Sequence, residues 1–108
     1  MQKEKRKYLN SYLIQQAKIN RLKEMINNNP NQKRKYIAEI NSAEKLRNDI
    51  ENAINSLEEP VLRELLYQKY VLGKTMEEVS YIINYSLRHS VRLHSKALDK
   101  ININIEVY

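Results

Sequence analysis

The chain has 108 residues with 42% hydrophobic content, one Gly, two Pro and no Cys. That is enough apolar material for one small core, and it excludes wholesale disorder, a disulfide framework and a thiolate metal site. So few turn-forming residues disfavour an all-β fold and favour long helices. The formal net charge is +6. Residues 1–35 hold ten basic and two acidic side chains, residues 36–60 two and six, and residues 61–108 seven and five. A basic arm, an acidic middle and a mildly basic end suit a polyanionic partner. No apolar run approaches the roughly 20 residues of a membrane span. The basic start Met1-Gln-Lys-Glu-Lys-Arg-Lys7 lacks an apolar stretch after it, so a cytoplasmic protein is expected.

The first predicted element spans about Lys3 to Asn27. Leu9, Tyr12, Leu13, Ile19, Leu22 and Ile26 recur at helical spacing, with Gln16 inside the stripe. Asn27-Asn-Asn-Pro-Asn31 stops it, because Asn tolerates left-handed backbone and Pro disfavours helix in the residue before it. A second helix is expected from about Gln32 to Leu57, on Tyr36, Ile40, Ala43, Ile50, Ile54 and Leu57, with Leu46 and Arg47 filling a gap. Two helices of similar length joined by a short loop read as an antiparallel hairpin with narrow, coiled-coil-like stripes. The hairpin is expected to pack on the rest of the chain or on another copy, as a scaffold or an oligomerisation element over residues 1–57.

Glu58-Glu59-Pro60 opens a third helix, since Pro suits the first turn and acids suit the positive end of the dipole. Val61, Leu62, Leu65, Leu66, Tyr70 and Val71 supply its broad apolar face. It is expected to end at Leu72-Gly73, with the only Gly as its stop. Thr75-Met-Glu-Glu78 is a capping box opening a short helix on Val79, Ile82 and Ile83 that ends near Asn84. Ser86 caps the next helix, Leu87 to about Ile101. Leu93, Ala97, Leu98 and Ile101 line one side of it. Arg88, Arg92, Lys96 and Lys100 form a basic row on another, with Asp99 as the helix's only acid. The tail Ile101 to Tyr108 alternates like a strand that could pair with a second copy, or is a frayed extended terminus.

Helix, Gly turn, capped helix, tight turn and basic helix form the order of a helix-turn-helix over residues 58–101. A solvated face would be laced with acids at i±4. This row is not, and like charges at that spacing cost a few tenths of a kcal/mol per pair, a cost that phosphate would offset. The segment Leu62-Arg-Glu-Leu-Leu-Tyr-Gln-Lys-Tyr-Val-Leu-Gly73, then Thr75-Met-Glu-Glu-Val-Ser80, Tyr85-Ser86 and Arg92-Leu-His-Ser-Lys-Ala-Leu98 resembles region four of bacterial sigma factors. Among such proteins it looks most like phage and prophage transcriptional regulators with a sigma-like C-terminal domain (ArpU/RinA-like).

The resemblance covers about 40 residues and implies a sequence-specific DNA-binding regulator of the bacterial cytoplasm. It places base reading at Leu87, Arg88, Val91 and Arg92. Phosphate contact is expected at Ser86, His89, Ser95, Lys96, Lys100 and Lys74. Three departures stand out. Ser90 occupies a position where such helices bury Val or Ile. Leu87 and Val91 replace polar readers, which points to thymine methyls. Asn84 stands for the Gly common before the turn.

His89 and His94 do not share a helical face, so no metal site is expected. No nucleophile motif or Gly-rich phosphate loop is present, so neither an enzyme nor a cofactor is expected. The expectation is therefore an all-α protein with a long N-terminal helical hairpin followed by a three-helix sigma-like helix-turn-helix and a short extended tail. Its partner is double-stranded DNA, with host RNA polymerase as a second candidate, and it acts as a homodimer or higher homo-oligomer. Two rival readings remain. One is a DNA-packaging adaptor like the small terminase subunits, and the other is an interaction module that docks on RNA polymerase or a sigma factor.

Overall fold

The computed structural model describes residues 1–103 and is all-α. Helix α1 spans Gln2–Asn28 and α2 spans Lys33–Asn55, joined through a single 3-10 turn at Pro30–Gln32. The Asn-Pro loop thus breaks the chain where turn chemistry expects it. Asn29 leaves the helical region at φ −136° while its N–H still bonds the Met25 carbonyl at 2.8 Å. The two helices form a hairpin that makes the molecule 52 Å long.

The hairpin buries its stripe in two parts. Near the tip, Ile19, Leu22, Ile40 and Ala43 form a small cluster with Met25, Ile26 and Tyr36 at its edge. Nearer the open end, Tyr8, Leu9 and Tyr12 of α1 and Ile50 and Ile54 of α2 join the main core. Between them the two interruptions of the apolar pattern meet, with Arg47 Nη1 donating to Gln16 Oε1 at 2.6 Å. Leu13 corrects the expected stripe: it is exposed, and Ser11 is buried instead. Tyr12 pins the hairpin through its hydroxyl, which donates to Glu51 Oε1 at 2.6 Å. Burial and then this hydrogen bond push the Tyr12 phenol up to about 12.

Helix α3 (Pro60–Leu66) starts at Pro60, whose missing N–H costs nothing in a first turn. It does not run on regularly to Leu72. Residues Tyr67–Val71 widen into a π-turn, closed by the Leu72 N–H on the Tyr67 carbonyl at 3.1 Å. Gly73 then turns the chain at φ +73°. Helix α4 (Met76–Ile83) carries the expected capping box. Glu78 N–H donates to Thr75 Oγ1 at 3.2 Å, and Thr75 N–H donates to Glu78 Oε1 at 3.0 Å. Asn84 ends it in the left-handed region at φ 62° and ψ 43°, and Ser86 caps α5 (Leu87–Lys100), accepting from His89 N–H.

One buried cluster holds α3, α4 and α5 together with the open end of the hairpin. The expected boundary near Leu57 therefore crosses a shared core, and Leu57 itself is buried in it. On α4 the expected Ile82 is 44% exposed, and Ser80 takes the buried place beside Val79. The start of the tail also differs from a free strand. Ile101 is buried and Ile103 packs on the core, so the alternating pattern docks inward as far as Ile103. The remainder of the expected strand, residues 104–108, lies outside the described residues.

Gly73 answers two demands at once. Its positive φ disfavours any L side chain, and an added Cβ would lie 3.2 Å from Leu13 Cδ1. Gly73→Ala is expected to destabilise the chain by about 1–2 kcal/mol, read as a lower midpoint in chemical denaturation with an unchanged slope.

Candidate nucleic-acid interface

Helix α5 owes its position to packing on one side and polar tethers at its far end. Ser90, Ala97, Leu98 and the following Ile101 are buried against the core, and Leu93 packs at its edge. At the C-terminal end, Lys5 Nζ of α1 donates to the Leu98 carbonyl at 2.9 Å and to the Ile101 carbonyl at 3.1 Å. A cation on unpaired terminal carbonyls is the favourable sign for a helix dipole. Gln2 Nε2 reaches the same end, 2.9 Å from Ser95 Oγ and 2.8 Å from Asp99 Oδ1.

The opposite end of α5 is open. Leu87 and Val91 are 42% and 51% exposed, and Arg88 and Arg92 are exposed beside them. Both pairs are four residues apart, so they form adjacent rows over the first two turns. Neither arginine has an ion pair or hydrogen bond among the described residues. His89 stacks on Tyr85 with ring centroids 4.8 Å apart and an interplanar angle of 23°. The Ser86 hydroxyl accepts from His89 N–H at 3.1 Å, which leaves its own proton free to donate outward. Tyr81, the large residue missed by sequence periodicity, is 88% exposed and shares a shallow groove with Asn84, Tyr85 and Ser86 beside the start of α5.

The structure divides the residues expected to touch phosphate. Ser86 and His89 belong to the open end. Ser95 is already held by Gln2, and Lys96 and Lys100 by Glu59. Lys96 Nζ lies 3.3 Å from Glu59 Oε2, and Lys100 Nζ meets Glu59 Oε1. The expectation of a row without acidic partners is thus corrected: Glu59, just ahead of α3, supplies one. Lys74 lies away from α5, half-buried ahead of α4, in a groove with Glu77, Glu78, Tyr81 and Ile82.

His94 packs on Tyr70 of the π-turn, its Nε2 2.7 Å from the Tyr70 hydroxyl and the rings stacked at 5.8 Å. Burial, with the charges of Lys69 and Arg6 behind it, pushes His94 down to about 4. Burial likewise pushes the Tyr70 phenol up to about 12, so both are neutral near pH 7 and share their hydrogen bond as neutral groups. Ser90 is fully buried, as its position in the pattern requires, but its hydroxyl has no hydrogen-bond partner among the described residues. Among those residues no group of His, Cys, Asp or Glu could hold a metal ion, and no helix is long and apolar enough to cross a membrane. The sequence matches no family model, no curated protein and no solved structure.

Two outcomes follow from these packing details. Ser90→Ala removes a hydroxyl that burial has stripped of water without a replacement, and an orphaned group of this kind costs about 1–3 kcal/mol. The variant is expected to melt several degrees higher. His94 titrates with the opposite consequence. From its ordinary value near 6.5 down to about 4, the unfolded chain takes up a proton that the folded chain refuses. Stability is therefore level above pH 6.5 and falls as pH drops through that window. In melts at pH 7.5 and pH 5, His94→Gln is expected to lose less stability on acidification than the parent.

Proposed function

We propose that the chain is a sequence-specific DNA-binding transcriptional regulator that inserts the first two turns of α5 into the major groove. What supports this most is the pairing of two unpartnered arginines with two exposed apolar side chains on adjacent rows of one braced helix. A guanidinium donates two parallel hydrogen bonds to guanine O6 and N7, and an aliphatic side chain meets the thymine methyl. Arg88 and Arg92 take the first role, and Leu87 and Val91 the second. Ser86 and His89, at the same end, take phosphate and set the register. The rigid mount favours base reading over mere charge attraction, because a helix fixed by its core presents the same four side chains in one geometry.

The resemblance to sigma factor region four supports the same reading and carries the attribution to a phage or prophage of a bacterial host. Two copies acting on two half-sites extend the few base contacts that one helix makes. The hairpin, which projects along the 52 Å axis, is the natural place for the contact between them.

The test is selection of bound duplexes from a random pool by the intact chain. A defined motif is expected. Arg88→Ala and Arg92→Ala should each weaken binding to the selected duplex by about 1–3 kcal/mol and relax the motif at one position. If binding survives both changes with the motif intact, α5 is not the reading helix. If no motif emerges and the chain assembles into rings, it is a packaging adaptor.

A further inference from the structure

Glu59 is placed where a carboxylate would ordinarily serve its own helix. It is the residue before Pro60, at the N-terminal boundary of α3, where an acid can cap free N–H groups and face the positive end of the dipole. It does neither through a hydrogen bond, since its side chain makes no cap contact with α3. Both carboxylate oxygens turn instead to α5, one to Lys96 and the other to Lys100. These partners are 37 and 41 residues further along the chain.

The carboxylate is mounted on a firm base. Leu62 N–H and Arg63 N–H both donate to the Glu59 carbonyl at 3.1 Å. Arg63 Nη1 reaches back to the Leu57 carbonyl at 2.7 Å and the Glu58 carbonyl at 3.2 Å. The link between α2 and α3 is therefore stapled from both sides, and Glu59 is held beside α5 rather than swinging on a loop. The two lysines, in turn, hold its carboxyl below the usual carboxylate range, the Lys100 hydrogen bond contributing most. It is ionised throughout the neutral range.

We propose that Glu59 stands in for a DNA phosphate within the chain, occupying Lys96 and Lys100 and so limiting the sequence-independent part of DNA binding. This rests on the DNA-binding reading above and refines it. A protein that neutralises phosphates releases counterions, and the affinity gained is alike for every sequence. The basic row of α5 divides accordingly. Arg88 and Arg92, without partners, are left to the bases, while the two lysines further on are quenched. A chain with Glu59 in place slides off non-cognate DNA more readily than its row of four cations implies.

The experiment measures binding of the intact chain to a random-sequence duplex and to the selected duplex, by fluorescence anisotropy between 50 and 200 mM salt. Glu59→Gln keeps the shape and removes the charge. Glu59→Ser, a good helix cap, is the second variant, and circular dichroism checks the fold of both. Freeing both lysines adds up to two phosphate contacts, each steepening the log–log salt dependence by about 0.9. Both variants should then bind each duplex more tightly at low salt, and lose about tenfold more affinity than the parent across that range. The double change Lys96→Ala with Lys100→Ala should cost the parent little but abolish the gain in the Glu59→Gln background. An unchanged salt slope in a folded variant overturns the proposal while leaving the DNA reading in place. Weaker binding by the variants also overturns it, by showing that Glu59 aims the lysines at phosphate. A parent chain that binds neither duplex overturns the DNA reading and this inference with it.

Discussion

The placement of α5 depends on two residues in left-handed backbone, Gly73 and Asn84, the only described residues with positive φ. They bracket α4, so the direction of α4 against α3, and of α5 against α4, is set by two single-residue reversals. Between them, after Lys74, everything is helix or cap. Gly meets this demand at no steric cost, and Asn is the residue that tolerates it next best. The neighbourhood reinforces each reversal. At Gly73 an added Cβ would crowd Leu13 Cδ1 of α1 at 3.2 Å, so the leucine would have to shift by a few tenths of an ångström. At Asn84 the Tyr85 N–H reaches back to the Ser80 carbonyl at 3.1 Å, closing the end of α4 over the turn.

That geometry would be weak without the hairpin. Three short helices of 7, 8 and 14 residues bury little surface on their own, and small domains are marginal for this reason. Here Tyr8, Leu9 and Tyr12 of α1 and Ile50 and Ile54 of α2 complete the core on which α3, α4 and α5 rest. Lys5 and Gln2 then tie the far end of α5 to the start of α1. Beyond the Gln16–Arg47 contact, the tip of the hairpin has a separate small core, with no residue of α5 in it. The polar pair marks the division, because a hydrogen-bonded Gln and Arg fill the seam where an apolar pair would have joined the two clusters.

What the sequence reveals and what it hides divide by range. The capping box at Thr75, the Ser86 cap, the Gly73 stop and the Asn84 reversal are local, each decided by a residue type within four positions, and all four are legible. The apolar stripes are legible too, apart from Leu13 and Ile82, whose spacing fits the pattern but whose places on the helix fall at its edge. The π-turn at Tyr67–Val71 is hidden, because its residues would serve equally well in a regular helix. So are the contacts that define the far end of α5. Lys5 with Leu98, Gln2 with Asp99 and Glu59 with Lys96 link residues 93, 97 and 37 positions apart, and no periodicity records such pairs. Half of the candidate site, Leu87 to Arg92, is therefore readable from the helix pattern, and the other half changes character once the chain folds back on it.

The charge elsewhere on the chain shows that this folding back is selective. The first turn of α2 carries Lys33, Arg34 and Lys35 and no acid, at the helix end where a cation costs roughly 0.3–1 kcal/mol. Among the described residues none of the three has an ion pair, nor do Arg21 and Lys23 on the facing helix. The acids of the middle segment do not gather there: Asp49 pairs with Lys45 on its own helix, and Glu51 takes the Tyr12 hydroxyl. Glu24 and Glu39 stand nearest that tip, and neither has an ion pair among the described residues. Instead, the long-range ion pairs among the described residues converge on Glu59, beside the helix that bears Arg88 and Arg92. Long-range compensation confined to the far end of α5 is an adjustment of that helix's own surface, and Arg88 and Arg92 at its other end stay unpaired among the described residues.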